Sequence, residues 1–146
     1  NPMVTSLVGV DLDGDGTKEI TATGMRSDTW ESFVGGWDWI GGANGFGDYL
    51  HLWTPPGSSP TGITTGDLDG DGDDDIFAAN ALYLNGMVAF AEGGNAWSTV
   101  TLDLGYWNQS DIFPDPIAIG DLNGDGCGDL VWRTDEDIVV APGSGC

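Results

Sequence analysis

Side chains that offer only oxygen recur at fixed places in one ten-residue stretch, which appears three times in this 146-residue sequence. The first copy is Asp11-Leu12-Asp13-Gly14-Asp15-Gly16-Thr17-Lys18-Glu19-Ile20. It returns as Asp67-Leu68-Asp69-Gly70-Asp71-Gly72-Asp73-Asp74-Asp75-Ile76 and as Asp121-Leu122-Asn123-Gly124-Asp125-Gly126-Cys127-Gly128-Asp129-Leu130. Places one, three, five and nine hold Asp11, Asp13, Asp15 and Glu19, then Asp67, Asp69, Asp71 and Asp75, then Asp121, Asn123, Asp125 and Asp129. Oxygen-only ligands select a hard cation, and calcium tolerates the irregular six to eight contacts that a loop can give, where magnesium demands a stricter octahedron. Place seven (Thr17, Asp73, Cys127) is expected to add its backbone carbonyl. Glycine at place six permits the turn that wraps the chain round the ion. Asn123 keeps an oxygen but drops a charge, so the third site is expected to be weaker than the second. Asp-Gly turns with no ion are the plainer reading, but turns alone do not require acids at all these places.

The charge balance agrees. Twenty-four acidic residues face three basic ones (Lys18, Arg26 and Arg133), for a net charge of −21. Thirteen of the acids fall in the three loops, where they repel one another unless something positive sits among them. Three bound calcium ions would bring the formal charge to about −15. Such a field attracts cations and repels nucleic acid and anionic lipid. No apolar run reaches the ~18 residues that span a bilayer.

The elements that position these loops are short and β-like. Leu7–Val10, Ile63–Gly66 and Ile117–Gly120 precede them; Ile20–Thr23, Ile76–Ala79 and Leu130–Trp132 follow. β-Branched and aromatic runs of about four residues read as strands, so each loop is expected to join two strands of a hairpin. Leu82–Leu84, Met87–Ala91, Trp97–Leu102 and Ile138–Ala141 are further strand candidates, punctuated by Asn85-Gly86 and Gly93-Gly94-Asn95. Gly35-Gly36-Trp37-Asp38-Trp39 and the Gly41–Gly47 stretch read as loops or edge strands. The loops recur at spacings of 56 and 54 residues, giving approximate repeats 4–59, 60–113 and 114–146 in a single domain, 1–146. Four short strands per ~55 residues is the arithmetic of a propeller blade. EF-hands do not fit: place twelve is Ala22, Ala78 or Trp132 instead of Glu, and the flanks are β instead of helical.

In these residues the chain resembles the FG-GAP/VCBS repeat family, the repeat of integrin α-subunit heads, whose signature is a D-x-D-G-D-G-x-x-D loop between two short strands. The closest stretch is Gly120–Arg133. The resemblance implies an all-β fold of three propeller-type blades, each of about four antiparallel strands, with calcium (up to three ions) in the loop between the first two strands. It implies an extracellular, secreted or cell-surface protein. A closed propeller needs four or more blades. Three blades leave the ring to be completed by a second copy, continued by more of a longer chain, or extended end to end into a filament.

Such repeats serve recognition and adhesion, so a glycan- or surface-binding module is the leading expectation. A structural subunit of a fibre or surface layer, assembling through its blade edges, is the alternative. Trp30, Trp37, Trp39, Trp53, Trp97 and Trp107 lie outside the loops, and exposed indoles stack on sugars. Trp37-Asp38-Trp39 is the best ligand-binding candidate; packing between blades is the competing use of each indole. Asn108-Gln109-Ser110 is a glycosylation sequon. Cys127 and Cys146, the two cysteines, pair as a disulfide in an oxidising compartment, with two free thiols as the alternative. No Cys/His cluster suggests zinc. The sequence opens at Asn1-Pro2-Met3 with no leader, so a secreted protein would be a processed form or a fragment.

Enzyme chemistry finds little support. His51 lies in the strand-like Tyr49–Trp53, where a packed or surface histidine is the common case. No nucleophile motif of the G-x-S-x-G type accompanies it. The pairs Asp111/Asp115 and Asp135/Asp137 are close in sequence, which says nothing about spacing across a substrate.

Overall fold

A computed structural model describes residues 2–12, 14–29, 31–39, 45–53, 60–80, 85–92, 96–103, 117–133 and 137–145. The described residues are all-β, in three antiparallel sheets with no helix. The first sheet is a meander of β1 (Pro2–Val10), β2 (Glu19–Arg26), β3 (Ser32–Trp39) and β4 (Phe46–Trp53). The second has β5 (Pro60–Gly66), β6 (Asp75–Asn80), β7 (Asn85–Ala91) and β8 (Trp97–Asp103). The third has β9 (Ile117–Gly120), β10 (Asp129–Arg133) and β11 (Ile138–Ala141). The three sheets do not close a ring. Every acidic loop connects the first two strands of a sheet, and the flanking pairs Val10–Glu19, Gly66–Asp75 and Gly120–Asp129 stand directly opposite each other.

The sheets pack face to face, with the second in the middle. β5 touches β1 and β2 on one side and β9 on the other. Val10, Leu12 and Val34 of the first sheet and its loop meet Ile63, Ile76, Ala78 and Ala89 of the second. Leu68, Phe77, Ala79 and Val88 on the opposite side of the second sheet meet Leu130 and Trp132 of the third. Strand alternation explains the division. Ile76 and Ala78 point one way from β6, Phe77 and Ala79 the other, and each set is buried against a different neighbour.

The first sheet departs from expectation in one respect. Gly35 to Trp39 lie in β3, an interior strand paired with both β2 and β4, and not in a loop or at an edge. The glycine serves close packing: a Cβ on Gly36 would lie 2.5 Å from Leu12 Cδ1. The same residue type that marks a turn in a sequence here leaves room for a leucine from the acidic loop. Leu82–Leu84, Gly93–Asn95 and Gly41–Asn44 lie outside the described residues.

Pro142–Gly145 runs from β11 into the space beside the second and third loops. Ser144 N–H donates to Leu68 O at 3.3 Å. A Cβ on Gly143 would collide with the carbonyls of Gly128 and Leu68, and one on Gly145 would lie 2.7 Å from Asp69 O.

Candidate metal centre

The second loop shows how the acids are arranged. Asp67 turns its carboxylate inward and accepts Gly70 N–H on Oδ1 at 2.6 Å and Gly72 N–H on Oδ2 at 3.0 Å. Gly70 and Gly72 have φ of 79° and 97°, so the chain curls left-handed at both places, where a side chain would be strained. The first loop repeats the pattern: Asp11 accepts from Gly14 at 2.8 Å, Asp15 at 3.1 Å and Gly16 at 2.7 Å. In the third, Asp121 accepts from Gly124 at 2.6 Å and Gly126 at 3.1 Å. Place five accepts the N–H of place seven in all three loops: Thr17 to Asp15 at 2.7 Å, Asp73 to Asp71 at 2.9 Å, Cys127 to Asp125 at 2.9 Å. Place three accepts the N–H of place five, with Asp71 to Asp69 at 3.3 Å and Asp125 to Asn123 at 2.8 Å. Asp13 lies outside the described residues.

This curl brings Asp67, Asp69 and Asp71 together. Each offers one carboxylate oxygen, and the three atoms lie within 4.8 Å of one another, so the group can hold a metal ion. Burial pushes the Asp69 carboxyl above the usual range, and the charges of Asp71 and Asp67 push it further. That mutual repulsion is what a cation would relieve, and the all-oxygen donor set fits a hard divalent ion.

Place nine has a second task that sequence alone did not reveal. Its carboxylate is buried in every loop and accepts the N–H of place two: Leu12 to Glu19 at 2.8 Å, Leu68 to Asp75 at 2.7 Å, Leu122 to Asp129 at 2.9 Å. Asp75 stands outside the Asp67/Asp69/Asp71 group. Its other oxygen accepts Ala91 N–H at 2.9 Å, tying the loop to the end of β7. Asp129 likewise accepts Gly143 N–H at 3.2 Å, and Asn123 Nδ2 donates to the same oxygen at 3.4 Å. Burial raises the Asp75 pKa to about 6, helped by the charges of Asp69 and Asp71 and opposed by the two amides. The signal in the sequence is an acid that opens each following strand and stands directly before an apolar residue (Ile20, Ile76 or Leu130).

Adjacent loops also touch. Lys18 Nζ lies 2.6 Å from Asp74 Oδ2, joining place eight of the first loop to place eight of the second. Gly128 N–H donates to Asp67 O at 2.6 Å. Cys127 is buried and disulfide-bonded, and no cysteine is free among the described residues. Cys146, the other cysteine of the sequence, lies outside the described residues.

The remaining candidates are dispersed or outside view. Trp37 is half-buried in β3, opposite Ile20 and Tyr49. Asp38 and Trp39 belong to the same strand, with side chains outside the described set. Asn108, Asp111, Asp115 and Asp135 lie outside the described residues. His51 pairs with Gly35 in β4.

No family model matches the sequence, and no curated protein matches it significantly. The resemblance to FG-GAP/VCBS repeats therefore rests on the loop residues themselves.

Proposed function

We propose that the chain is an extracellular calcium-binding module of the FG-GAP/VCBS propeller-repeat kind, used for recognition or adhesion. The observation that carries this reading is the convergence of Asp67, Asp69 and Asp71 in a loop whose hydrogen-bond pattern recurs in the other two. Calcium suits the site because flexible, all-oxygen loops favour it over magnesium. Asp67, Asp69 and Asp71 would hold the ion in the second loop, and Asp121, Asn123 and Asp125 in the third. Asp11, Asp13 and Asp15 do so in the first. The bonded state of Cys127 supports an oxidising, extracellular setting.

Glycans are the ligand class we assign, with Trp37, Asp38 and Trp39 as the binding candidates. Calcium titration by calorimetry tests the metal, with up to three sites expected. A glycan array tests the ligand; saturable binding that chelator abolishes is the expected result. An absence of calcium uptake overturns the proposal.

A structural role as the subunit of a fibre or surface layer is the second reading. It is favoured by the exposed apolar residues Leu7 on the first sheet and Leu122, Ile138 and Val140 on the third.

A further inference from the structure

Pro142–Gly145 runs between the second and third acidic loops on very little. Gly143 N–H reaches Asp129 Oδ1 at 3.2 Å and Ser144 N–H reaches Leu68 O at 3.3 Å, both at the long end for such bonds. Pro142, Ser144 and Gly145 are exposed, so burial adds little. Two weak hydrogen bonds do not offset the entropy lost in fixing four residues of backbone. What holds the segment is covalent. Cys127, at place seven of the third loop, is 1% exposed and disulfide-bonded, and the sequence offers it one partner, Cys146, the residue after Gly145.

The path is nonetheless a fitted one. A Cβ on Gly143 would lie 2.6 Å from Leu68 O and 2.8 Å from Cys127 Cβ. Gly145 has a φ of 126°, which a side chain would strain. Register shows where the segment departs from its counterpart. Ile76 pairs with Ala89 and Leu130 with Ala141, so Gly143 stands to Asp129 as Ala91 stands to Asp75. Both donate their N–H to the carboxylate at place nine, Ala91 at 2.9 Å from within β7. Beyond that shared bond the two segments part. Glu92 N–H turns to Ala96 O, next to the start of β8, whereas Ser144 N–H crosses to the second loop.

The segment also bounds a cavity of about 170 Å³. Leu68, Val88, Leu102 and Leu130 line one side of it, and Pro142, Gly143 and Ser144 the other. Leu68, Val88 and Leu130 belong to the core between the second and third sheets and are buried. Lifting the segment removes one wall of the cavity and brings these apolar side chains toward solvent. The rest of that core, Phe77, Ala79 and Trp132, does not line the cavity and keeps its packing.

We infer that Pro142–Gly145 is a redox-released strap: the Cys127 disulfide holds it against this cavity, and a dithiol lets it lift and opens the cavity without parting the sheets. Cys127 is buried, so attack falls on the sulfur of Cys146. One thiolate of the reagent forms a mixed disulfide there and expels Cys127 as a thiolate, which takes a proton. The second thiol of the reagent then attacks the reagent's own sulfur in that mixed disulfide, closes a cyclic disulfide and releases Cys146 as a thiol. The protein gains two electrons and two protons, and the dithiol is oxidised. Reoxidation by a small disulfide runs the exchange backward and seats the strap again. The device goes beyond the calcium reading and does not depend on it.

NMR of the full chain before and after dithiothreitol tests the strap, with thiols counted by alkylation. Reduction speeds exchange of the Gly143 and Ser144 amides by more than about tenfold, since opening there becomes nearly free. Methyl resonances of Leu68, Val88 and Leu130 move, while those of Val10 and Ile63, on the other side of the second sheet, stay. Fluorescence of an apolar-surface dye rises severalfold. Oxidised glutathione reverses all three changes. Cys146→Ser shows the released state without reductant and no longer responds to it. A disulfide that resists the dithiol in the folded protein overturns the proposal. So do unchanged exchange and methyl shifts once two thiols are counted, or a change that reoxidation does not reverse. Lost protection at Phe77 and Ala89 also overturns it, since the bond would then support the fold itself.

Discussion

The amide of Gly128 donates to the carbonyl of Asp67 at 2.6 Å, so the third acidic loop leans directly on the residue that opens the second. A Cβ on Gly128 would lie 2.6 Å from that same carbonyl and from Ile119 Cγ2. Gly128→Ala is therefore expected to force the second and third sheets apart locally, at a cost of about 1–3 kcal/mol. Thermal unfolding measures it. Gly120→Ala, in open space at the end of β9, is the control and is expected to change the melt little.

Calcium is expected to raise the melting temperature in a concentration-dependent way, by about 2.7 kcal/mol for a site filled at 100 times its Kd. Asp69→Asn makes the second loop resemble the third, which has Asn123 at that place. It is expected to weaken the second site by about tenfold, and Asn123→Asp to strengthen the third by a comparable factor. Calorimetry of the two variants reads both changes; equal affinities in all three proteins would show that this side chain does not bear on the ion.

Asp75 is expected to make the protein without bound metal sensitive to pH in an unusual direction. Its folded pKa, about 6, lies above the ordinary 3.8, so the folded state binds the extra proton between those values. The stability this group contributes is fully present below about pH 3.8 and is lost as pH rises through about 6. In chelator, wild type is expected to lose stability relative to Asp75→Asn across that window. Parallel curves for the two proteins would refute it. Asp75→Ala is expected to be worse at every pH, since it leaves the amides of Leu68 and Ala91 without their acceptor, at about 1–3 kcal/mol each.

Reduction of the Cys127 disulfide is expected to free the C-terminal segment without unfolding the sheets, whose cores do not depend on it. Ser144 and Gly143 donate to Leu68 O and Asp129 Oδ1, so their amides should exchange faster after reduction. Hydrogen exchange by NMR checks this; global loss of protection would contradict it.

The hairpins around the acidic loops were legible because aspartate and glycine recur at fixed places between apolar runs, a pattern that is local. β3 was not, because Gly35 and Gly36 look like turn residues until the leucine that packs on Gly36 is known. Glu19, Asp75 and Asp129 read as ligands by their place in the motif, while their bonds to the amides of place two needed coordinates. Leu12, Leu68 and Leu122 are indistinguishable in sequence, since burial depends on which sheet follows. Pro142–Gly145 carries no strand or loop motif, and only its carbonyl partners reveal that it is fitted between two loops.

The amide bonds that Asp67 accepts from Gly70 and Gly72 have a kinetic consequence. They set the curl of the loop by the protein's own hydrogen bonding, so the backbone entropy is surrendered during folding and not at the moment of ion capture. Loading and unloading of an ion would then demand little rearrangement of the loop, so its exchange would be fast.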